Sequence, residues 1–163
     1  MALFNGTYVQ NFDSKGRVSI PASFRAALRA GVTNISSLGD GPASLPLVLR
    51  PSDKTLCIEA LTEVKHQELA AELEKLDPLS EEYDALATVL FADAWPVETD
   101  KEGRVIVPDP LLNFAGIARA ESVAFVGIGL SFQLWNPASV ANRKAEAMAI
   151  NKARVARHRE AAA

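Results

Sequence analysis

The sequence predicts an α+β fold in which two tandem copies of one strand–turn–strand–helix unit are flanked by further helices. Three observations predict it. A nine-residue pattern occurs twice, Asp-Ser-Lys-Gly-Arg-Val-Ser-Ile-Pro at 13–21 and Asp-Lys-Glu-Gly-Arg-Val-Ile-Val-Pro at 100–108, at a constant offset of 87 residues. Each copy is followed by a short helical segment and then by paired apolar runs of strand length. Each then ends in a longer stretch of helical character. A tandem duplication implies a pseudo-two-fold architecture, because each copy can pair with the other as two subunits would. It also displays any surface feature of the motif twice, which favours binding over catalysis.

In the first copy, Thr7-Tyr8-Val9-Gln10-Asn11-Phe12 reads as a strand. Ser14-Lys15-Gly16 is turn chemistry, with Gly16 able to take a positive φ. Arg17-Val18-Ser19-Ile20 alternates, with Val18 and Ile20 on one face. The two strands are expected to form one hairpin, with Lys15 at its tip and Asp13 and Arg17 on its rims. Pro21 suits the first turn of a helix from Pro21 to Ala30, which presents Phe24, Ala27 and Leu28 on one face and can end at Gly31. Residues 33–46 read as an irregular loop. Leu47–Leu49 and Thr55–Ile58 read as strands around a turn at 50–54.

The second copy repeats this order, with a strand at Val123–Val126, a turn at Gly127-Ile128-Gly129 and a strand at Leu130–Trp135. Residues 62–76 place Leu69, Leu73 and Leu76 at helical spacing before Asp77-Pro78 breaks the run. Ser80 caps a further helix to about residue 91, with Glu81 and Glu82 in its first turn and Tyr83, Leu86 and Leu90 on its apolar face. Asn136-Pro137 starts a last helix, Asn as N-cap and Pro at the first helical position. Its apolar content is sparse, so its far end needs a neighbour or frays.

The composition, 48% hydrophobic and 23% charged, is that of an ordinary globular protein. Cys57 is the one cysteine, which excludes an intrachain disulfide and fits a reducing compartment. The first residues lack the basic segment and apolar core of a secretory signal, and no apolar run suits a membrane span. A cytoplasmic protein is expected. The net charge of −3 is unevenly spread: residues 1–30 carry +3, residues 141–163 carry +4, and the centre carries −10. Such asymmetry suits steering of an anionic partner, and equally suits self-association of a basic end with an acidic middle.

The pattern Asp-x-x-Gly-Arg-Val-x-x-Pro, after a strand and before a short helix, resembles the AbrB-type swapped-hairpin β-barrel. Two copies in a chain of this length resemble the MraZ family. The resemblance implies a barrel built from a first AbrB-like repeat over 1–61, followed by helices over 62–92, and a second over 93–137, followed by a C-terminal helix over 138–163. The two repeats would form one pseudo-symmetric unit. It further implies a nucleoid-associated transcriptional regulator of the bacterial division and cell-wall gene cluster. Such a protein forms a homo-oligomeric ring and binds short repeats in double-stranded promoter DNA. No cofactor, metal, membrane or small-molecule substrate is implied.

On the residues alone, Asp13/Arg17 and Asp100/Arg104 read first as ion pairs that pin a turn. The resemblance gives them a second role, with the acid orienting an arginine fork toward phosphate or a guanine edge. The expected DNA-binding residues are Lys15, Arg17, Arg25, Lys101 and Arg104, and the motif-orienting residues are Asp13, Gly16, Asp100 and Gly103. Arg25 and Arg29 make the first motif look the more basic, because their partners at the 87-residue offset are Leu112 and Gly116. The first copy is therefore expected to carry more of the contact. His66 and His158 have no metal-ligand spacing, and Trp95 and Trp135 read as core or interface anchors. No nucleophile–base pair or phosphate-cradling glycine pattern suggests an enzyme. A ring-forming scaffold without DNA contact is the competing reading; the cluster of Lys15, Arg17, Arg25 and Arg29 weighs against it.

Overall fold

A computed structural model describes residues 2–31 and 44–162 of the chain. The irregular stretch expected at 33–46 lies outside the described residues as far as Ala43. Among these described residues, eight strands and five α-helices follow in mixed α+β order: β1 (Thr7–Asn11), β2 (Val18–Ser19), α1 (Ala22–Ala30), β3 (Pro46–Pro51), β4 (Ile58–Leu61), α2 (Glu63–Leu73), α3 (Glu81–Ala87), β5 (Trp95–Glu98), β6 (Arg104–Val105), α4 (Asp109–Ala115), β7 (Ser122–Gly127), β8 (Phe132–Trp135) and α5 (Pro137–Ala162).

The strands exchange partners between the two halves of the chain. The six-stranded sheet runs β1-β7-β8-β4-β3-β5, and β2 pairs with β6 in a separate two-stranded ribbon. Opening strand β1 lies antiparallel to β7, with Tyr8 opposite Phe125. Opening strand β5 lies antiparallel to β3, with Val97 opposite Leu47. The hairpins β3–β4 and β7–β8 meet at the centre, where Ile58 faces Leu134. The order reads the same from either edge when the two halves are interchanged. The expected single hairpin of residues 7–12 with 17–20 is therefore corrected. Its turn closes, Asp13 N donating to Arg17 O at 2.8 Å, but its strands part to pair elsewhere. An isolated hairpin of this size is marginal in water, and the longer strands of the other half offer more hydrogen bonds and a covered face. Among the described residues the strands form an open sheet and a ribbon and do not close into a barrel.

The core lies between the sheet, the ribbon and helices α1 and α4. Val18, Ile20, Val105 and Val107 meet Leu47, Leu49, Ile58, Val123, Phe125, Phe132 and Leu134 there. Phe24 of α1 is fully buried, with the rings of Phe4, Tyr8, Phe125 and Phe132 at centroid distances of 5.0–6.4 Å. The faces of the sheet alternate as a strand requires. Val123 and Phe125 enter this core, while Ala124 joins Cys57 and Trp135 in a second cluster on the other face, against Val140 at the start of α5.

Several element boundaries differ from expectation. The second strand of the first hairpin begins at Ile58 rather than Thr55, and Arg50 belongs to β3, not to a turn. Ser52 explains the shift: its Oγ accepts from Lys54 N and Thr55 N, so a turn over 52–57 consumes the residues expected to be strand. The buried Arg50 pairs across the ladder with Glu59, which fixes the register. Helix α2 ends at Leu73, and residues 74–76 tighten into i→i−3 bonds. The helix capped by Ser80 is α-helical only to Ala87 and continues as a π-helical turn, Thr88–Ala92, where Thr88 Oγ1 donates back to Asp84 O. Strand β8 begins at Phe132 instead of Leu130. No helix among the described residues is long and apolar enough to cross a membrane.

Candidate nucleic-acid interface

The two motifs fold into closely matching turns. In the first, Asp13 Oδ1 accepts from Lys15 N (2.9 Å) and Arg17 N (2.8 Å), and Oδ2 accepts from Arg17 Nε (2.8 Å). In the second, Asp100 Oδ1 accepts from Glu102 N (3.0 Å) and Arg104 N (2.9 Å), and Oδ2 accepts from Arg104 Nε (2.8 Å). An aspartate two residues before the tip satisfies the turn's amides in this way, and its second oxygen is left to hold the arginine. Gly16 and Gly103 carry φ of +76° and +82°, which explains glycine at both places. The turns stand at the two ends of the β2–β6 ribbon, which pairs Val18 with Val105 and Ser19 with Arg104. Ile20 N donates to Gly103 O at 3.0 Å, tying the end of one strand to the other motif's turn.

The arginines differ in what remains of them. Among the described residues Arg17 is held by Asp13 through Nε, and its two terminal nitrogens have no protein acceptor. Arg104 is held twice, because Nη2 also donates to Glu102 Oε2 at 2.6 Å. Glu102 stands where the first motif has Lys15. Lys15 and Lys101 are exposed.

The carboxyls of both aspartates sit below their ordinary pKa, chiefly because the Arg17 and Arg104 amides donate to the charged form; partial desolvation opposes this. Arg104 is raised above its ordinary value, first by its hydrogen bond to Asp100 and, further down, by the charges of Glu102 and of Asp13 from the other turn.

The basic cluster expected around the first motif is divided otherwise. Arg25 leaves the first copy's helix and lies over the second copy's turn, Nη1 donating to Glu102 O at 3.1 Å. Arg29 lines the same shallow depression of about 280 Å3 as Arg25, Lys101, Gly103 and Thr99. The exchange of strands causes this, since it carries α1 toward the second motif. The contrast drawn from Leu112 and Gly116 therefore does not describe the surroundings of the second turn. The corresponding place beside the first turn is filled by Arg119, which sequence reasoning missed. Its Nη1 donates to Gly16 O at 2.6 Å, its Nη2 to Val107 O and to Asp109 Oδ1, and its guanidinium lies 5.8 Å from the Phe12 ring centroid. No repeat signal pointed to it, because it stands seven residues beyond the offset partner of Arg25.

Other singled-out residues lie away from the turns. His66 packs on the Phe91 ring, and burial and the nearby Arg50 charge lower its pKa. Trp135 is buried, whereas Trp95, at the repeat position of Tyr8, keeps 42% of its surface exposed. The thiol of Cys57 is pushed up by burial.

Comparison with known proteins agrees with the motif. The profile of the family described as "MraZ protein, putative antitoxin-like" matches residues 3–37 and 90–158. The chain is 45% identical over 147 residues to the transcriptional regulator MraZ of Gluconacetobacter diazotrophicus, covering 90% of this chain and 87% of that protein. It is 44% identical over 144 residues to the protein of that name from Gluconobacter oxydans, covering 88% and 82%. The MraZ of Rickettsia canadensis is 38% identical over 137 residues, covering 84% and 83%. A family profile that spans both motifs, together with relatives aligned over most of both chains, establishes that this chain belongs to the MraZ family.

Proposed function

We propose that this protein is a transcriptional regulator that binds double-stranded promoter DNA through its two Asp-x-x-x-Arg turns. The single observation that carries the reading is Arg17: Asp13 holds its Nε, while its two terminal nitrogens have no protein acceptor among the described residues at a tight turn. An arginine oriented in this way presents a planar fork that matches phosphate or the O6/N7 edge of guanine, with little further ordering. Lys15 and Lys101 supply phosphate contacts at the tips, and Arg104 reads from the second turn once it leaves Glu102. The printed names of the relatives support the regulatory role. The exchange of opening strands agrees with a swapped-hairpin relation of the AbrB type, the two motif copies acting as one pseudo-symmetric unit.

The reading includes a homo-oligomeric ring on short promoter repeats of the division and cell-wall gene cluster. Residues 63–93 carry nine acidic side chains against two basic ones, and α5 carries six basic against two acidic. A basic helix of one copy laid on the acidic helices of the next makes a heterologous contact, the kind that builds a ring where the rotation between copies closes.

The test is a titration of repeat-containing promoter DNA at two salt concentrations with wild type, Arg17→Ala and Lys15→Ala, with thermal melts alongside. Arg17→Ala is expected to melt within a few degrees of wild type and to bind at least tenfold more weakly, a loss multiplied when several turns engage one DNA. Lys15→Ala is expected to weaken binding to all sequences and to flatten the salt slope by about one per contact. If wild type binds no DNA under conditions where it assembles, the scaffold reading takes its place.

A further inference from the structure

We infer that Arg25 and Arg119 are positioning residues, each locking the turn of the motif copy in the other half of the chain. The inference deepens the DNA reading and rests on it for one of its two readouts. Arg25 follows the first motif on α1, yet its side chain covers Gly103 of the second: a Cβ added at Gly103 would stand 2.3 Å from Arg25 Cδ. Arg119 follows the second motif beyond α4, yet it covers Gly16 of the first, where an added Cβ would stand 2.8 Å from Arg119 Cδ. Each guanidinium donates to a carbonyl at the turn glycine, Arg25 to that of Glu102, just before Gly103, and Arg119 to that of Gly16 itself. Each glycine thus answers two demands at once, a positive φ and the space of an arginine stem.

The two contacts are not inherited together from the duplication. The motifs are related by 87 residues, whereas Arg25 and Arg119 are 94 apart. An arginine stem over the turn glycine, with its guanidinium donating to an adjoining carbonyl, is built twice from positions that do not correspond, which points to a use for the contact itself. That use follows from the turn. Donation from the guanidinium fixes the peptide plane next to the glycine, the softest point of the turn. The amides that hold Asp13 and Asp100 then stay in place, and with them the orientation of Arg17 and Arg104.

The two locks differ in stiffness. Arg119 is anchored to Asp109 at 2.8 Å, to Val107 O and against Phe12. Arg25 has its contact at Glu102 O, and its Nε is buried without a partner among the described residues. The first turn is therefore held by a braced arginine and the second by a looser one.

The experiment has two arms. In the free protein, amide exchange and chemical shifts of both turns are measured by NMR for Arg25→Ala, Arg25→Lys, Arg119→Ala and Arg119→Lys. Arg25→Ala is expected to speed exchange at Gly103 and Arg104 by about tenfold while Gly16 and Arg17 keep their wild-type rates; Arg119→Ala is expected to do the reverse. The lysine variants keep the stem and one donor, so they should fold and show a smaller change at the same sites. Should an alanine variant fail to fold, the lysine pattern decides. In the second arm, DNA is titrated against double variants. Arg119→Ala is expected to add little to Arg17→Ala and to add fully to Arg104→Ala, with Arg25→Ala showing the mirror pattern. Exchange that rises in the variant's own motif, in both turns equally or in neither would overturn the inference. So would full additivity within the same turn. A wild type that binds no DNA would sink the DNA reading, and the exchange arm would still decide the locks.

Discussion

Lys15 and Glu102 occupy the same place in the two motifs, and that one exchange separates the turns. Glu102 takes one end of the Arg104 fork, while Arg17 keeps both ends free of protein acceptors among the described residues. Arg104→Ala is therefore expected to weaken DNA binding less than Arg17→Ala, and Glu102→Ala to strengthen it several-fold by releasing Arg104 and removing a like charge to phosphate. A Glu102→Ala protein that binds as wild type would mean the second turn does not reach the DNA. The aspartates allow a test without DNA. Both carboxyls are lowered in the folded chain, mainly by the arginine amides that donate to them. A lowered carboxyl contributes stability that is present above its unfolded pKa of about 3.9 and is lost as pH falls through the lower folded value. The turns should therefore hold at pH 4 and loosen only below that. Amide shifts of Arg17 and Arg104 followed through an acid titration should show midpoints under the ordinary aspartate value; midpoints at or above it would remove the proposed hydrogen bonds. The motif residues were legible because Asp, Gly and Arg at this spacing leave one economical turn. Arg119 was not legible, since nothing in a repeat register links it to Gly16.

Helix α1 shows how far a local pattern reaches. Phe24, Ala27 and Leu28 fall on one face by spacing, and those three are buried. Phe24→Ala is expected to cost about 3–5 kcal/mol in urea denaturation, the usual loss for an aromatic removed from a closed core. Leu79, 95% exposed, serves as the control, and Leu79→Ala should change little. Helix α5 reads equally well from sequence, and for the opposite reason. It runs from Pro137 to Ala162, Asn136 Oδ1 caps it at Ala138 N, and none of its residues is buried. Tertiary packing rather than propensity supplies most helical stability. Amides beyond residue 147 should therefore exchange far faster than those of α1 in the unassembled chain, and slow down if α5 docks on a neighbouring copy. What the pattern did not reveal lies where side chains compete with the backbone. Ser52 pulled residues 53–55 into a turn, and Thr88 opened a π-helical turn where an α-helix was expected. Strand partners were hidden for a different reason: β1 fits a hairpin with β2 as well as a ladder with β7, and only the summed burial of both halves decides between them.

At the scale of the molecule, the duplication pointed to two copies that pair with each other, but not to which strands exchange. Two motifs 87 residues apart suggest two similar units that meet, but they do not say that β1 leaves β2 for a strand of the other unit. In the structure every opening element of the first half finds its partner in the second: β1 on β7 and β2 on β6, while β4 joins β8 and β3 joins β5. The hairpin β3–β4 is the one ladder confined to residues 1–92 among those described. A fragment of residues 1–92 thus keeps α1 but loses Val105, Val107, Phe125, Phe132 and Leu134 from around it. Its β1 and β2 lose every ladder partner, and a single hairpin is too small a sheet to stand in water. Because the two halves carry the same motif, a second copy of the fragment can supply the missing half, its β3 taking the place of β7 and its β2 that of β6. The fragment is therefore expected to be unfolded when dilute and to gain structure with concentration as a symmetric dimer. Circular dichroism over a concentration series, with sedimentation analysis, separates the outcomes. A well-dispersed, cooperatively melting monomer whose stability ignores concentration would show that the first half closes on itself, and the exchanged pairing would then be no requirement of the fold.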